Sequence, residues 1–298
     1  MTSRTAAWIG GVLVALALVT GQIGTRVPER APIEAGGYRV LAADLHTHSA
    51  FWSDGTLSPA GLVLTARQQG LDVVAITAHN QVSDAKFGRW FSYLIDGPLV
   101  LVGQELVGPT HHMIALGTER QIDAKAVTRQ IEEVEAQNGV LIVAHPSRGY
   151  QPALTDAQRA EIDGAEICHA MSYSPKRAPE LEAFFATGPF GAIGGSDFHG
   201  FGRIGECRTY IFTKVVTPAG VLDALRKKRT VVYTPNGKTY GDPALAALIA
   251  DRPDLRAVAT TDAPAPLIDW ISRVCAIAGL GLIVWSRPRD PHARSARA

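Results

Sequence analysis

The sequence predicts an α/β fold, and three observations carry that prediction. Short apolar runs recur along the middle of the chain, helical patterns lie between many of them, and nearly every unusual polar residue stands directly after a run. The runs are Tyr38 to Ala43, Asp72 to Thr77, Leu99 to Gly103, His112 to Gly117, Gly139 to Ala144, Gly164 to Cys168, Phe190 to Gly195 and Thr209 to Thr213. Several are almost continuous in Val, Ile, Leu and Ala, the pattern of parallel strands covered on both faces.

The helical patterns have their own signals. Ser58-Pro59 supplies a capping serine and a proline at the first helical position, for a helix that runs to Gln69 and stops at Gly70. Ala124 to Gln137 carries Val127, Ile131 and Val134 on one stripe and ends at Asn138-Gly139. Alternating strand and helix defines the α/β class, in which a closed barrel and an open doubly wound sheet share one local pattern.

The polar residues at the run ends bear on that choice. Leu41 to Leu45 leads into His46-Thr47-His48 and then Ser53-Asp54-Gly55; Val73 to Thr77 leads into Ala78-His79-Asn80. Leu99 to Gly103 precedes Gln104-Glu105, Leu141 to Ala144 precedes His145-Pro146, and Ala192 to Gly195 precedes Ser196-Asp197-Phe198-His199. In a β/α barrel the strand C-termini converge on one face, so groups up to about 150 residues apart would meet there. Such a placement predicts one site.

So many imidazoles with two or three carboxylates exceed what one tetrahedral ion takes. They suit two or three ions, with a carboxylate such as Glu105 able to bridge, and the mixed nitrogen and oxygen donors point to Zn, Mn or Fe rather than Mg or Ca. Closely spaced ions would turn a shared water into a hydroxide nucleophile at neutral pH. Taken singly, each signal has a plainer meaning: Asp54-Gly55 is a turn, His145-Pro146 punctuates a loop, and Asp197 could cap a helix. The ordered series at successive strand ends is what argues for metal.

That series resembles the PHP superfamily, named for its polymerase and histidinol phosphatase members. The stretches that carry the resemblance are DLHTHSAFWSDGTLSP at 44–59, GLDVVAITAHN at 70–80, GQEL at 103–106, AHPSRG at 144–149 and GSDFH at 195–199, within about residues 38–242. The resemblance implies a distorted seven-stranded, TIM-like β/α barrel, two or three divalent ions (Mn, Zn or Fe) and hydrolysis of phosphate esters. Eight runs against seven barrel strands leave one run, such as His112 to Gly117, outside the barrel or in a hairpin. Carried over by motif, the implied metal ligands are His46, His48, Asp54, His79, Glu105, His112, His145, Asp197 and His199. His112 is chosen over His111 because it stands five residues before Gly117, as the family histidine stands before a strand-ending glycine. Glu105, Asp197 and His199 are the expected catalytic residues. One departure is Ala78, where the family commonly has Asp before the histidine; the change would loosen His79 or alter metal preference.

Three further residues are expected to meet substrate. His169 follows a strand and reads as a pocket residue rather than a ligand, and Arg148 and Arg203 are placed to bind an anion. The expected activity is phosphoesterase action on a small phosphorylated molecule. Carboxyl or carbamate ester hydrolysis at the same centre is the alternative, and a membrane-tethered metal or ligand sensor is the non-enzymatic one. Charge is balanced, with 29 Lys+Arg against 28 Asp+Glu, and no basic, aromatic-studded groove is visible, so no nucleic-acid partner is expected. Cys168, Cys207 and Cys275 share no C-x-x-C spacing; Cys168 and Cys207 could pair, but isolated cysteines read first as small buried apolar residues.

The ends of the chain suggest a membrane. Ala6 to Gly21 is free of charge and would span about 24 Å as a helix, so residues 1–29 read as an anchor or as a signal segment. Leu267 to Trp285 is apolar from Val274 onward, carries Asp269 and Arg273 early, and is followed by Arg287, Arg289, Arg294 and Arg297. Basic residues at both ends place both termini in the cytoplasm and the barrel, residues 30–250, on the periplasmic or extracytoplasmic side, with the lipid bilayer as a partner. Residues 251–266, rich in Pro, Thr and Asp, read as a linker to a C-terminal transmembrane helix and basic tail at 267–298.

Overall fold

All eight apolar runs form strands. The computed structural model describes residues 2–24, 31–147, 149–170, 176–200, 202–256 and 267–286. In chain order the elements are α1 (Ser3–Gly24), β1 (Ile33–Ala35), β2 (Tyr38–Asp44), α2 (Pro59–Gln68), β3 (Val73–Ile76), α3 (Ser83–Leu94), β4 (Leu99–Val107), β5 (His112–Leu116), α4 (Val127–Glu135), β6 (Val140–Ala144), α5 (Asp156–Glu161) and β7 (Gly164–His169). They continue with α6 (Ala178–Phe185), β8 (Gly191–Gly195), β9 (Thr209–Thr213), α7 (Pro218–Arg226), β10 (Thr230–Tyr233), β11 (Thr239–Gly241), α8 (Pro243–Leu248), a 3-10 turn at Pro253–Leu255 and α9 (Leu267–Ser286). Two compact units result, residues 29–260 and the terminal segments 1–28 with 261–298.

In the larger unit the sheet runs β11-β10-β9-β2-β3-β4-β5-β6-β7-β8, with β1 paired to the outside of this path on β2. This is a nearly closed barrel of ten strands where seven were expected. The surplus is antiparallel: β9 pairs antiparallel with β2, β10 with β9, and β11 with β10. The run at His112 to Gly117 does form a hairpin, yet it sits inside the sheet, antiparallel to both β4 and β6. Because β5 runs backwards, β4 and β6 keep the same direction, and the start of β5 lies at the same rim as the ends of its neighbours. Val107 pairs with His112, and His112 with Ala144.

Local signals place the helices. Ser58 Oγ accepts the Gly61 N–H at 3.1 Å, which caps α2 with Pro59 in its first turn, and Gly70 takes a positive φ of 64° where the helix stops. Leu62, Val63 and Ala66 of α2 then pack on Val40, Ala42, Val74 and Ile76 of the sheet. The other faces of the same strands, Leu41, Ala43, Val73 and Ala75, pack with Ile142, Ile193 and Ile211 and with Val221, Leu222 and Leu225 of α7. Both faces are therefore covered, which is why the runs are unbroken in apolar residues. Leu255 is buried in this core and its carbonyl accepts from the Tyr210 hydroxyl, so part of the 251–266 stretch is ordered on the barrel. The remainder, residues 257–266, lies outside the described residues, as does the basic tail.

A correction concerns the cysteines. Cys168 and Cys207 are joined in a disulfide, 39 residues apart with Cα atoms 5.5 Å apart, rather than standing as separate small core residues.

The terminal unit is a pair of helices in mutual contact. A side chain on Gly10 would meet the Gly279 carbonyl at 2.7 Å, and Ser272 Oγ donates to the Ala17 carbonyl at 2.7 Å. Among the described residues no helix is long and apolar enough to cross a membrane. The expected anchors, the bilayer as partner, and the assignment of the termini to the cytoplasm and of the barrel to the periplasm do not hold.

Candidate metal centre

The expected ligands gather at one rim of the barrel. His46 and His48 follow β2, His79 follows β3, Glu105 lies in the last part of β4, His112 opens β5, His145 follows β6, and Asp197 and His199 follow β8. Asp54 reaches the same place from the loop between β2 and α2. Asp54, His79, Glu105, His112, His145, Asp197 and His199 border a cavity of about 410 Å³, to which Ser147, Tyr150, His169 and Arg177 also contribute, while His46 and His48 lie fully buried behind it. Arg203 is not among the residues lining it, and Arg148 lies outside the described residues. His111 points elsewhere: it is buried, with Nε2 3.1 Å from Gln130 Oε1.

Backbone contacts hold the two main ligand segments together. The Asp197 N–H donates to the His46 carbonyl at 2.9 Å, and the His48 N–H to the Phe198 carbonyl at 3.0 Å. The ligand positions are also conformationally unusual, since His145 and Asp197 adopt positive φ of 28° and 50°, a region costly for residues with a side chain. Gly195 must be glycine for a different reason. A side chain there would collide with the Glu166 carboxylate and lie 2.7 Å from His46 Cβ.

Among the described residues five groups of donors form, and three of them consist of expected ligands alone; the other two, His46 with Glu166 and His169, and His145 with His169 and Asp197, draw in His169. In the first, His46 Nε2, His48 Nε2, Glu105 Oε2 and Asp197 Oδ1 converge: the two nitrogens are 3.0 Å apart, and each lies 3.0 to 3.4 Å from both oxygens. In the second, Glu105 Oε1 is 2.8 Å from His112 Nδ1 and 3.0 Å from His145 Nε2. In the third, Asp54 is 3.4 Å from His79 Nε2 and 3.2 Å from His199 Nε2, with His48 Nδ1 at 3.7 Å. Glu105 gives one oxygen to each of the first two groups.

The first group fits a cation better than it fits hydrogen bonding. Among the described residues Asp197 Oδ1 of this group, and His79 Nδ1 beside it, are buried without a hydrogen-bond partner, although the former lies 3.0 Å from His48 and the latter 3.1 Å from Glu105 Oε2. Close atoms with misaligned hydrogens are what lone pairs aimed at a shared centre produce. A tetrahedral ion with ligand distances of about 2.0–2.1 Å spaces its ligands about 3.3–3.4 Å apart, close to the edges seen here.

Electrostatics agree with the geometry. Burial opposes charge on Glu105, but the imidazoles of His46, His112 and His145 hold its carboxyl well below the usual range. Burial likewise opposes charge on His46, which Asp197, Glu105 and Glu166 nevertheless raise well above its ordinary value. His79 is raised as well, burial opposing and Glu105 and Asp54 prevailing. Asp197 is lowered, with burial outweighed by His46, His169 and His48.

The metal-free protein should therefore show a defined pH dependence. The lowered carboxyls contribute stability above their unfolded values of about 4, and the raised histidines contribute stability that is complete below about 6.5 and lost as pH rises through their folded values. Thermal melts of chelator-treated protein are expected to fall in temperature from pH 6.5 to 8.5. Metal-loaded protein should not follow, because ligation uses deprotonated imidazoles. Parallel curves for the two forms would contradict the metal reading.

Glu166 is the residue that the sequence hid. It is fully buried, its Oε1 lies 3.1 Å from His46 Nδ1, and its Oε2 accepts the His145 N–H at 2.6 Å. It thereby fixes the His46 ring with Nε2 facing the other ligands. A register shift between Glu166 and Cys168 also turns His169 to this side, with Nε2 3.2 Å from Asp197 Oδ2. Ala78 is buried beside His79, which Asp54 and Glu105 steady at 3.4 and 3.1 Å.

The fold has solved counterparts. The chain is similar to a two-domain protein of Bacteroides vulgatus containing a predicted PHP-like metal-dependent phosphoesterase, with a TM-score of 0.63 and 22% identity over 76% of this chain and 74% of that one. It is also similar to PsfC of Pseudomonas syringae, with a TM-score of 0.50 and 16% identity over 73% of this chain and 98% of that one. In sequence, 146 residues align at 29% identity with an uncharacterized protein of Methanocaldococcus jannaschii, covering 44% of this chain and 82% of that protein. No family model matches the chain. At these identities the likeness concerns the fold alone, an α/β barrel.

Proposed function

We propose that this chain is a metal-dependent hydrolase that cleaves phosphate esters of small molecules. The observation that carries the reading is the convergence of His46, His48, Glu105 and Asp197, drawn from three separate strand ends, on one point at the wall of a cavity sized for a small ligand. Two or three divalent ions (Mn, Zn or Fe) held by the three donor groups would supply Lewis acidity to an attacking water and to the group under attack.

The chain's own residues do the rest. Glu105 ties the first two groups together, so their spacing is set by one side chain. Glu166 keeps His46 Nε2 turned inward. Arg177, at the start of α6, supplies the cation that lines the cavity and would meet a phosphoryl oxygen. Tyr150 packs edge-on against His112 and His145, with ring centroids 5.2 and 5.5 Å away, and walls off one side of the mouth.

Purified full-length protein is expected to hydrolyse p-nitrophenyl phosphate when given Mn or Zn, to stop with chelator, and to be inactive as His48→Ala. Faster turnover of p-nitrophenyl acetate or an aryl carbamate would move the assignment to carboxyl or carbamate ester hydrolysis. Stoichiometric metal without turnover of any of the three would leave a binding protein.

A further inference from the structure

The path of the sheet ends at β8, and between β8 and β9 no strand ladder is formed among the described residues. One threonine takes the place of a ladder there. Thr209 Oγ1 accepts the Gly194 N–H at 2.8 Å and donates to the Gly194 carbonyl at 3.0 Å. The disulfide crosses the same seam, from Cys168 near the end of β7 to Cys207 just before β9, and both cysteines are fully buried. The fit is close, since a side chain on Gly194 would stand 2.7 Å from the Cys207 carbonyl.

Between Gly195 and Cys207 lies the segment that carries Asp197 and His199. It is held on two sides. On the β2 side Asp44 accepts the N–H groups of Ser196 and Gly205, at 3.0 and 2.7 Å. On the β7 side the Ala170 N–H donates to the Gly195 carbonyl at 3.1 Å, and the disulfide fixes Cys207 beside it. Opening the disulfide would remove the covalent tie across the seam, leaving the two Thr209 hydrogen bonds and the apolar packing of Ala192 with Cys207 and Val232, and would free the segment to draw toward Asp44, away from the strand of Glu166 and His169.

We propose that the Cys168–Cys207 disulfide is a positioning element of the metal centre: it staples the barrel seam and thereby holds Asp197 in the four-atom group with His46, His48 and Glu105. The proposal rests on the metal reading above. It places the effect on ion retention, which a disulfide serving only to stabilise the fold would not alter below the melting temperature.

The test is the rate at which zinc leaves the folded, zinc-loaded full chain into excess chelator at room temperature, followed with a zinc indicator, with circular dichroism confirming the fold. Cys168→Ala/Cys207→Ala is expected to release zinc about tenfold to a hundredfold faster than wild type, the range for partners that orient metal ligands. Equal rates overturn the proposal, whatever the change in melting temperature. If the double variant does not fold, wild type is compared before and after a water-soluble phosphine. The phosphine takes oxygen from water as its oxide while the two sulfurs gain two protons as thiols; faster release supports the proposal and an unchanged rate overturns it. Wild type that retains no zinc at all removes the metal reading and this proposal together, an outcome distinct from equal retention.

Discussion

Glu105→Gln is expected to lower metal-stimulated turnover by about a thousandfold or more and to remove bound metal measurable by elemental analysis. The side chain is almost fully buried and both of its oxygens are committed: Oε1 to His112 and His145, Oε2 to His48, His46 and His79, all between 2.8 and 3.4 Å. An amide of the same volume keeps the packing. It replaces one oxygen by an NH2 whose hydrogens point at the place where the lone pairs meet, and it removes the negative charge that two donor groups share. Charge stabilisation at such centres is worth several kcal/mol; about 4 kcal/mol at about 1.4 kcal/mol per tenfold gives the stated loss. A variant that kept full metal content and turnover within about tenfold of wild type would mean that Glu105 does not bridge, and the three donor groups would then be independent of one another.

What the sequence disclosed and what it withheld follow from where each residue sits. His46, His79, Glu105, His145 and Asp197 stand out because each interrupts the chain directly after an apolar run, and a polar group at a strand end is visible without any knowledge of pairing. Glu166 lies inside such a run, so periodicity gives it no special place; only its contacts with His46 and His145 show its role. The fold class was legible in the alternation of runs and helical patterns. The strand number was not, because β10 and β11 are short, lie past the last ligand, and join by antiparallel pairing that the helix-and-strand alternation does not encode. The disulfide was illegible for a related reason. Cysteine spacing says nothing about two segments that meet only because a barrel nearly closes on itself.

Asp44→Ala is expected to cost about 3–5 kcal/mol of stability, read from urea unfolding of the metal-free protein, and to lower the melting temperature by on the order of 10 °C. Asp44 is fully buried at the end of β2, and its carboxylate accepts three backbone N–H groups: Ser196 at 3.0 Å, His46 at 3.3 Å and Gly205 at 2.7 Å. Burial raises its pKa while the Ser196 side chain and those three N–H groups oppose the rise, so the fold bears a desolvation cost at this position that these hydrogen bonds offset. Alanine leaves three buried donors unmet, each costing about 1–3 kcal/mol. Asn should fall between, because one amide oxygen still serves Ser196 while its NH2 faces the Gly205 N–H. The same change should reach the metal, since Ser196 and Gly205 bracket the segment that bears Asp197 and His199. Stability loss in both variants without loss of bound metal would show that Asp44 supports the barrel alone. Loss of both, with Asn intermediate in each, would show that one buried carboxylate couples β2 to the last ligand segment.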